Sequence, residues 1–299
     1  MESNSESLYK ITQNLLKNAD IHLKKRLGQN FLIDRNIFDL IIKSANLSID
    51  DVVLELGSGI GLLTREIALS ANKVIAVELD SELFRILQSY CKDFDNITLI
   101  NADMLEFDYA KLFSENGLSP NQKIKVIGNL PYYITTPTIF KLLELKSLPI
   151  KSIILMVQKE VGERIVSPPG KKDYGSLSVA IAYRCNTRII KTISAGCFYP
   201  KPKVDSVLIE LAVQDKPNVS VKDENLFFSV VRSAFQHRRK TLRNALMLSI
   251  QSEKLKTSIE IIDNAIQSLG LDPKIRGECL SIEKFADLAN IIHNNRLET

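Results

Sequence analysis

The sequence predicts an α/β protein: a mostly parallel sheet covered by helices, followed by a small all-helical domain. Three observations carry that expectation. Short, nearly all-apolar stretches alternate with helical patterns from residue 51 to residue 213, the mark of parallel strands buried on both faces. The first such stretch ends in a glycine-rich loop, "ELGSGIG", where a strand feeds a helix. After Val213 the strand-like stretches stop.

In chain order, residues 1–23 read as a tail with a marginal helix in "LYKITQNLLKNA". From Asp34, "DRNIFDLIIKSANL" spaces Ile37, Leu40, Ile41 and Leu47 roughly at helical intervals, with Asp34 as the cap. "DVVLEL" is a strand, "LLTREIALS" a helix, "KVIAVEL" a strand, "SELFRILQSYCK" a helix and "NITLIN" a strand. "KIKVIGN", "TPTIFKLLELK" and "SIILMVQ" continue as strand, helix, strand. "GSLSVAIAYRC" is helical, and "TRIIKTIS" and "DSVLIELAV" close the series as strands. "QDKPNVSVKDE" reads as a polar linker, and three helical stretches follow: "NLFFSVVRSAFQHRRKTLRNALML", "SIEIIDNAIQSL" and "SIEKFADLANIIH". The expected divisions are 1–23 for the tail, 24–213 for the α/β domain and 214–299 for the helical domain.

The 299 residues are 45% hydrophobic and 25% charged, ordinary values for a globular chain able to bury a sizeable core. The polar, acidic start "MESNSESLYK" argues against a secretory signal, and no apolar run reaches membrane-spanning length. Cys91, Cys185, Cys197 and Cys279 form no C-x-x-C pair and read as reduced thiols of a cytosolic protein. With three histidines they offer no zinc-ligand spacing, so no metal is expected. The net charge of +4 is spread unevenly, −5 over residues 31–150 and +7 over residues 151–203. Arg232, Arg238, Arg239, Lys240 and Arg243 fall within 229–244 with no acid among them. Such segments suit a polyanion and equally suit a solvated surface; charge alone leaves both readings standing.

The glycine loop narrows the function. Gly57, Gly59 and Gly61 follow Glu55 in a G-x-G-x-G spacing. A dinucleotide fingerprint wants glycine at 62, where Leu62 stands. The loop therefore argues against pyrophosphate and for the nucleoside of S-adenosylmethionine, although a merely tight turn would also be glycine-rich. Glu78 ends the next strand 21 residues after Gly57, where a carboxylate can accept both ribose hydroxyls. Asp103 in "NADML" follows the third strand and can accept from an adenine amino group. Each acid alone would pass for a cap or a surface charge; an acid after each successive strand is harder to dismiss.

The fourth strand of the series runs into Asn129, Leu130, Pro131 and Tyr132. An exocyclic amine on a base is a poor nucleophile, because its lone pair is delocalised into the ring. Accepting its two N–H bonds at the Asn129 amide oxygen and the Leu130 carbonyl would localise that pair. Pro131 would hold the turn, and Tyr132 would stack on the base. The plain alternative is a proline-ended strand with Tyr132 in the core; Tyr133 is expected to pack. Phe198, in the proline-stiffened "CFYPKPKVDS", either sandwiches the base against Tyr132 or plugs a connecting loop.

"KRLGQNFLID", "LELGSGIGLLT", "AVELD", "NADML", "GNLPYYITTPTI", "MVQKEVGERI", "YGSLSV", "FYPKPKVDS" and "RSAFQHRRKTLRNAL" occur in order and cover the chain from about Lys24 to its last helices. In these the chain resembles the KsgA/RsmA family of ribosomal RNA adenine dimethyltransferases. The resemblance implies a class I, Rossmann-like methyltransferase domain with a helical C-terminal RNA-recognition domain. It implies methyl transfer from S-adenosylmethionine to N6 of two adjacent adenosines in a loop near the 3′ end of 16S rRNA. The family's cofactor positions fall on Asn30, Leu32, Gly57, Glu78, Asp103 and Asn129, and its base-handling positions on Asn129, Leu130, Pro131, Tyr132 and Phe198. The expected partner is small-subunit rRNA in a precursor 30S particle, engaged in the cytoplasm by a monomer. Two rivals share parts of the pattern. One is an erythromycin-resistance enzyme acting on 23S rRNA. The other is an RNA-binding assembly factor that has lost catalysis.

Overall fold

The computed structural model describes residues 7–21, 23–24, 28–117, 122–144 and 150–297. After helix α1 (Leu8–Asn18), strand β1 (Phe31–Leu32) leads to α2 (Arg35–Ala45). Then come β2 (Val52–Leu56), α3 (Leu62–Ala68), β3 (Lys73–Glu78), α4 (Ser81–Tyr90) and β4 (Ile97–Asn101). Helix α5 (Tyr109–Glu115), β5 (Ile124–Asn129), α6 (Thr135–Glu144), β6 (Ile150–Gln158) and α7 (Lys159–Val166) follow. Next are α8 (Ser176–Arg184), β7 (Cys185–Ile193), β8 (Phe198–Tyr199) and β9 (Ser206–Val213). The chain ends in α9 (Glu224–Gln236), α10 (Leu242–Gln251), α11 (Ile259–Ser268) and α12 (Ile282–Leu297).

Seven strands form one sheet in the order β4-β3-β2-β5-β6-β9-β7. β4, β3, β2, β5 and β6 pair in parallel, and β9 runs antiparallel to β6. The parallel strands are Val- and Ile-rich because both faces are covered: every residue of β2 is buried. The strand order reverses at β2, since β3 and β4 build outward on one side and β5 and β6 on the other. The α/β class expected from the alternation is the one observed, with an antiparallel β9 added beyond β6.

Two compact units divide the chain. One runs up to Gly162 and resumes at Arg188–Val213; the other takes in Glu163–Thr187 and the chain from Gln214 on. They do not follow the single boundary expected at 213. The reason lies in α8: Val179 and Tyr183 are buried in one cluster with Phe227, Val230 and Phe285 of α9 and α12. Tyr183 lies 5.1 Å from the Phe227 ring and 5.2 Å from that of Phe228. The long helix expected over 225–248 is also two. Lys240 N–H closes a turn on the His237 carbonyl, and the Thr241 hydroxyl then caps a new helix by accepting from Asn244 N–H at 3.3 Å.

In the first unit, Asp34 caps α2 as expected, accepting from Asn36 N–H at 2.9 Å. The segment read as a tail is packed. Thr12 and Leu16 of α1 are buried, and Tyr9 meets Tyr199 edge-on at 5.5 Å.

Two charged side chains are buried in the central strands. Lys125, on β5, is 4% exposed and held by the Asp51 carboxylate at 2.8 Å and the Asn46 carbonyl at 2.6 Å. Glu55, on β2, is 2% exposed and accepts from the Thr64 hydroxyl at 2.6 Å. Burial pushes the Glu55 carboxyl up to about 7; hydrogen bonds from Thr64 and Ser58 pull against this, and the charge of Glu78 adds to it.

Because its folded pKa lies above the ordinary value of 4.5, Glu55 favours the folded state below that value and loses this as pH rises to about 7. Glu55→Gln should match the parent near pH 4 or below. By pH 8 it should be the more stable, by about 3 kcal/mol or less. Urea unfolding at intervals from pH 4 to pH 8 reads this, and parallel curves for the two proteins would refute it.

Candidate functional site

At the carboxyl ends of the parallel strands lies a cavity of about 220 Å³, beside the point where the strand order reverses. Its floor is the turn after β2. Gly57 sits at φ +73°, a left-handed conformation that side chains resist, and a Cβ there would stand 3.3 Å from the Asn129 carbonyl oxygen. Gly59, at φ +58°, lies under the Phe31 ring, which a Cβ would approach to 3.1 Å. Glycine is thus required twice, once for backbone angle and close approach of β5, once to seat an aromatic wall.

The acids expected at the strand ends converge here. Glu78 lines the cavity, 8% exposed, and accepts from Gly59 N–H and Asp80 N–H, both at 2.8 Å, one on each oxygen. Burial raises its pKa, and these backbone donors oppose the shift. Asp103 also lines the cavity and accepts from Leu105 N–H at 2.8 Å. Glu55 is a third carboxylate in the wall. Among the described residues of the lining there is no lysine or arginine.

Asn30 and Leu32 line the same cavity. The Asn30 carbonyl accepts from Asn129 Nδ2 at 3.0 Å, while Asn30 Nδ2 donates to the Gly28 carbonyl at 2.9 Å. The first bond uses the donor end of the Asn129 amide and leaves Oδ1 as its acceptor end. Leu130, Pro131 and Tyr132 complete this side of the cavity. The Tyr132 hydroxyl lies 2.8 Å from Ser206 Oγ, and Ser206 is fully buried, so the ring is anchored from β9.

One candidate sits behind the cavity wall, and one expectation needs correction. Phe198 is 3% exposed and outside the lining; it pairs with Leu32 across the β1–β8 ladder and packs into the core. Its packing is that of the plug reading, with the ring directly behind Leu32 in the cavity wall. Tyr133, expected to pack, is 58% exposed at the cavity. It lies in the short 3-10 turn Tyr132–Ile134, none of whose residues is buried.

Sequence reasoning missed Gln29, Leu79, Met104 and Leu105 in the lining. Gln29 is fixed by Asp80, to which its amide donates at 2.9 Å, and Asp80 also holds Lys24 at 3.0 Å. The stretch "KRLGQNFLID" contains Gln29, but nothing local tells which of its side chains faces a ligand.

In the second unit the five basic candidates differ. Arg243 is locked to Asp263 by two bonds of 2.6 and 2.7 Å. Arg238 donates to the Lys172 and Tyr174 carbonyls and faces Glu278 at 3.6 Å. Arg232 reaches Ser229 at 3.3 Å. Arg239 and Lys240 are exposed and make no ion pair among the described residues.

A family model described as ribosomal RNA adenine dimethylase matches residues 21–292. A ribosomal RNA small subunit methyltransferase A of Clostridium botulinum is 46% identical over 284 residues, 95% of this chain and 98% of that protein. The protein of that name from Bacillus cereus (strain AH187) is 43% identical over 286 residues, 96% of this chain and 97% of its own. Among solved structures, a dimethyladenosine transferase from Plasmodium falciparum is similar with a TM-score of 0.72 at 25% identity, covering 86% of this chain and 95% of that one. The 23S rRNA methyltransferase ErmE is similar with a TM-score of 0.66 at 25% identity, covering 88% and 99%. With the family's pattern running through nearly its whole length, and with such relatives, the chain belongs to the ribosomal RNA adenine dimethylase family.

Proposed function

We propose that this chain transfers methyl groups from S-adenosylmethionine to N6 of two adjacent adenosines in a loop near the 3′ end of 16S rRNA. The observation that carries this is a cavity lined by the acids Glu78 and Asp103, with Glu55 buried in the wall and no lysine or arginine among the described residues of the lining, and with the Asn129 amide at its edge. Such a wall repels the phosphates of a dinucleotide and suits a cationic ligand. The relatives at 43–46% identity named ribosomal RNA small subunit methyltransferase A support the small subunit over the 23S alternative.

The residues fit the cofactor. Glu78 faces the cavity with both oxygens oriented by backbone N–H groups, and it can accept from a ribose diol. Asp103 can accept from the adenine amine, and Leu79, Met104 and Leu105 offer apolar contact to the ring. When bound, S-adenosylmethionine supplies an electrophilic methyl carried on a sulfonium. Asn129 Oδ1 and the Leu130 carbonyl accept the two N–H bonds of an adenine drawn out of its stack. This localises the nitrogen lone pair and stabilises the charge that grows on it. Asn30 keeps the Asn129 amide turned the right way, and Tyr132, anchored by Ser206, offers a face for stacking. No covalent intermediate is needed, because the chain's task is alignment. Leu32, in the lining, contacts the cofactor, and Phe198, paired with it, backs the base side of the wall.

The partner is small-subunit rRNA in a precursor 30S particle, and the chain acts as a monomer in the cytoplasm with a role in subunit biogenesis. Arg239 and Lys240 contact phosphate; Arg232 lies on the same segment, while Arg238 and Arg243 hold their own unit together.

Asn129→Ala should lower methyl transfer to 16S rRNA by about 100- to 1000-fold, with dimethyladenosine read by mass spectrometry of the RNA. Activity within a few-fold of the parent would refute the role given to Asn129, and product on 23S rRNA instead would refute the substrate. Arg239→Glu combined with Lys240→Glu should weaken RNA binding and reduce the slope of log affinity against log salt by about 1.5. An unaltered slope would remove these two residues from the RNA contact.

A further inference from the structure

The loop of residues 103–105 has no regular structure of its own, yet it forms one side of the cavity. Beside the turn that Glu106 N–H closes on the Asp103 carbonyl at 3.1 Å, three side-chain bonds hold its backbone. Asp103 Oδ1 accepts from Leu105 N–H, the Tyr109 hydroxyl donates to the Met104 carbonyl at 2.9 Å, and Lys141 Nζ donates to the Leu105 carbonyl. Tyr109 is 1% exposed, and burial raises its pKa, so it stays a phenol and a donor. Lys141 Nζ also stands 5.7 Å from the centre of the Tyr109 ring, within range of a cation–π contact.

Lys141 reaches this loop from α6, which continues from the turn after Asn129. Ile134 lines the cavity, and the Thr138 hydroxyl bonds the Ile134 carbonyl at 2.8 Å. Positions 134, 138 and 141 follow the spacing of one helix face, so the ammonium stands about two turns along the face that begins at the cavity. The helix that starts at the proposed base subsite thus ends its reach on the loop at the proposed nucleoside subsite.

We propose that Lys141 is a positioning residue: it ties the loop of residues 103–105 to α6 and so holds the nucleoside end of the cavity at a set distance from residues 129–134. This rests on the reading of the cavity given above. The bond from Lys141 is charge-assisted and is the one of the three that comes from α6; without it the loop keeps only Tyr109 and its own turn, and its link to α6 is lost.

The test is calorimetric titration of the full chain with S-adenosylmethionine, with steady-state kinetics in parallel. Lys141→Met keeps the length and removes the donor. It should weaken cofactor affinity about tenfold, raise the cofactor KM to match and leave kcat at saturating cofactor within about twofold. Lys141→Arg should restore most of the affinity. Affinity of the Met variant within twofold of the parent would overturn the proposal, as would a fall in kcat with an unchanged cofactor KM. Should the Met variant fail to fold, Lys141→Gln takes its place, with several-fold weakening expected and parental affinity overturning. A parent chain that binds S-adenosylmethionine yet methylates no rRNA would refute the reaction and leave this inference standing, since binding is read without RNA. A parent that binds none would overturn both.

Discussion

The parallel pairing of β2 with β5, across the point where the strand order reverses, is the constraint on which the site depends. Val52 to Leu56 lie beside Ile124 to Gly128 in register, so the glycine turn and Asn129 leave the sheet side by side. The fit leaves no room for side chains at the contact. A Cβ on Gly128 would meet the Leu56 carbonyl at 3.0 Å, and one on Gly57 would meet the Asn129 carbonyl at 3.3 Å. Each further feature of the cavity hangs on this: Glu78 reaches Gly59 because β3 flanks β2, and Asn30 reaches Asn129 because β5 ends there.

The same geometry lets the fold tolerate acids in an apolar wall. A buried carboxylate is costly unless its oxygens are satisfied. Glu78 is satisfied by two backbone N–H groups, which hold it without adding positive charge to the cavity. Glu55 is satisfied by a hydroxyl and keeps a proton more readily than an exposed acid. Neither acid is neutralised by a lysine or arginine salt bridge, and the cavity keeps its acidic character. Lys125, the buried cation of β5, is spent on Asp51, beyond the amino end of β2 and away from the cavity.

The sequence made the sheet and the strand-end residues legible because their signals are local. Apolar runs mark buried strands, and the step from strand to turn places Gly57, Glu78 and Asn129 without knowledge of the partner strand. What stayed hidden depends on contacts far apart in the chain. Phe198 lies behind Leu32 only once β1 and β8 pair, 166 positions apart. Whether Arg243 is free for phosphate turns on Asp263, one helix away. The turn of the Asn129 amide turns on a carbonyl 99 residues earlier. The packing of α1 could not be weighed either, because a short amphipathic helix without its partner surface is marginal.

The chain leaves one compact unit at Gly162, returns at Arg188 and leaves again at Gln214. A ribosome makes it in that order. Tyr174, Val179 and Tyr183 emerge well before the helices that bury them, and Phe285 of the same cluster comes 102 residues after Tyr183. At roughly 5–20 residues per second that interval lasts about 5–20 s. Partway through it α9 brings Phe227 and Phe228, about 44 positions on, against Tyr183, and the cover stays incomplete until α12 brings Phe285. Birth of this enzyme is therefore a matter of timing: a chaperone that shields residues 174–183 has a window of seconds, and synonymous changes that slow translation after residue 213 would widen it.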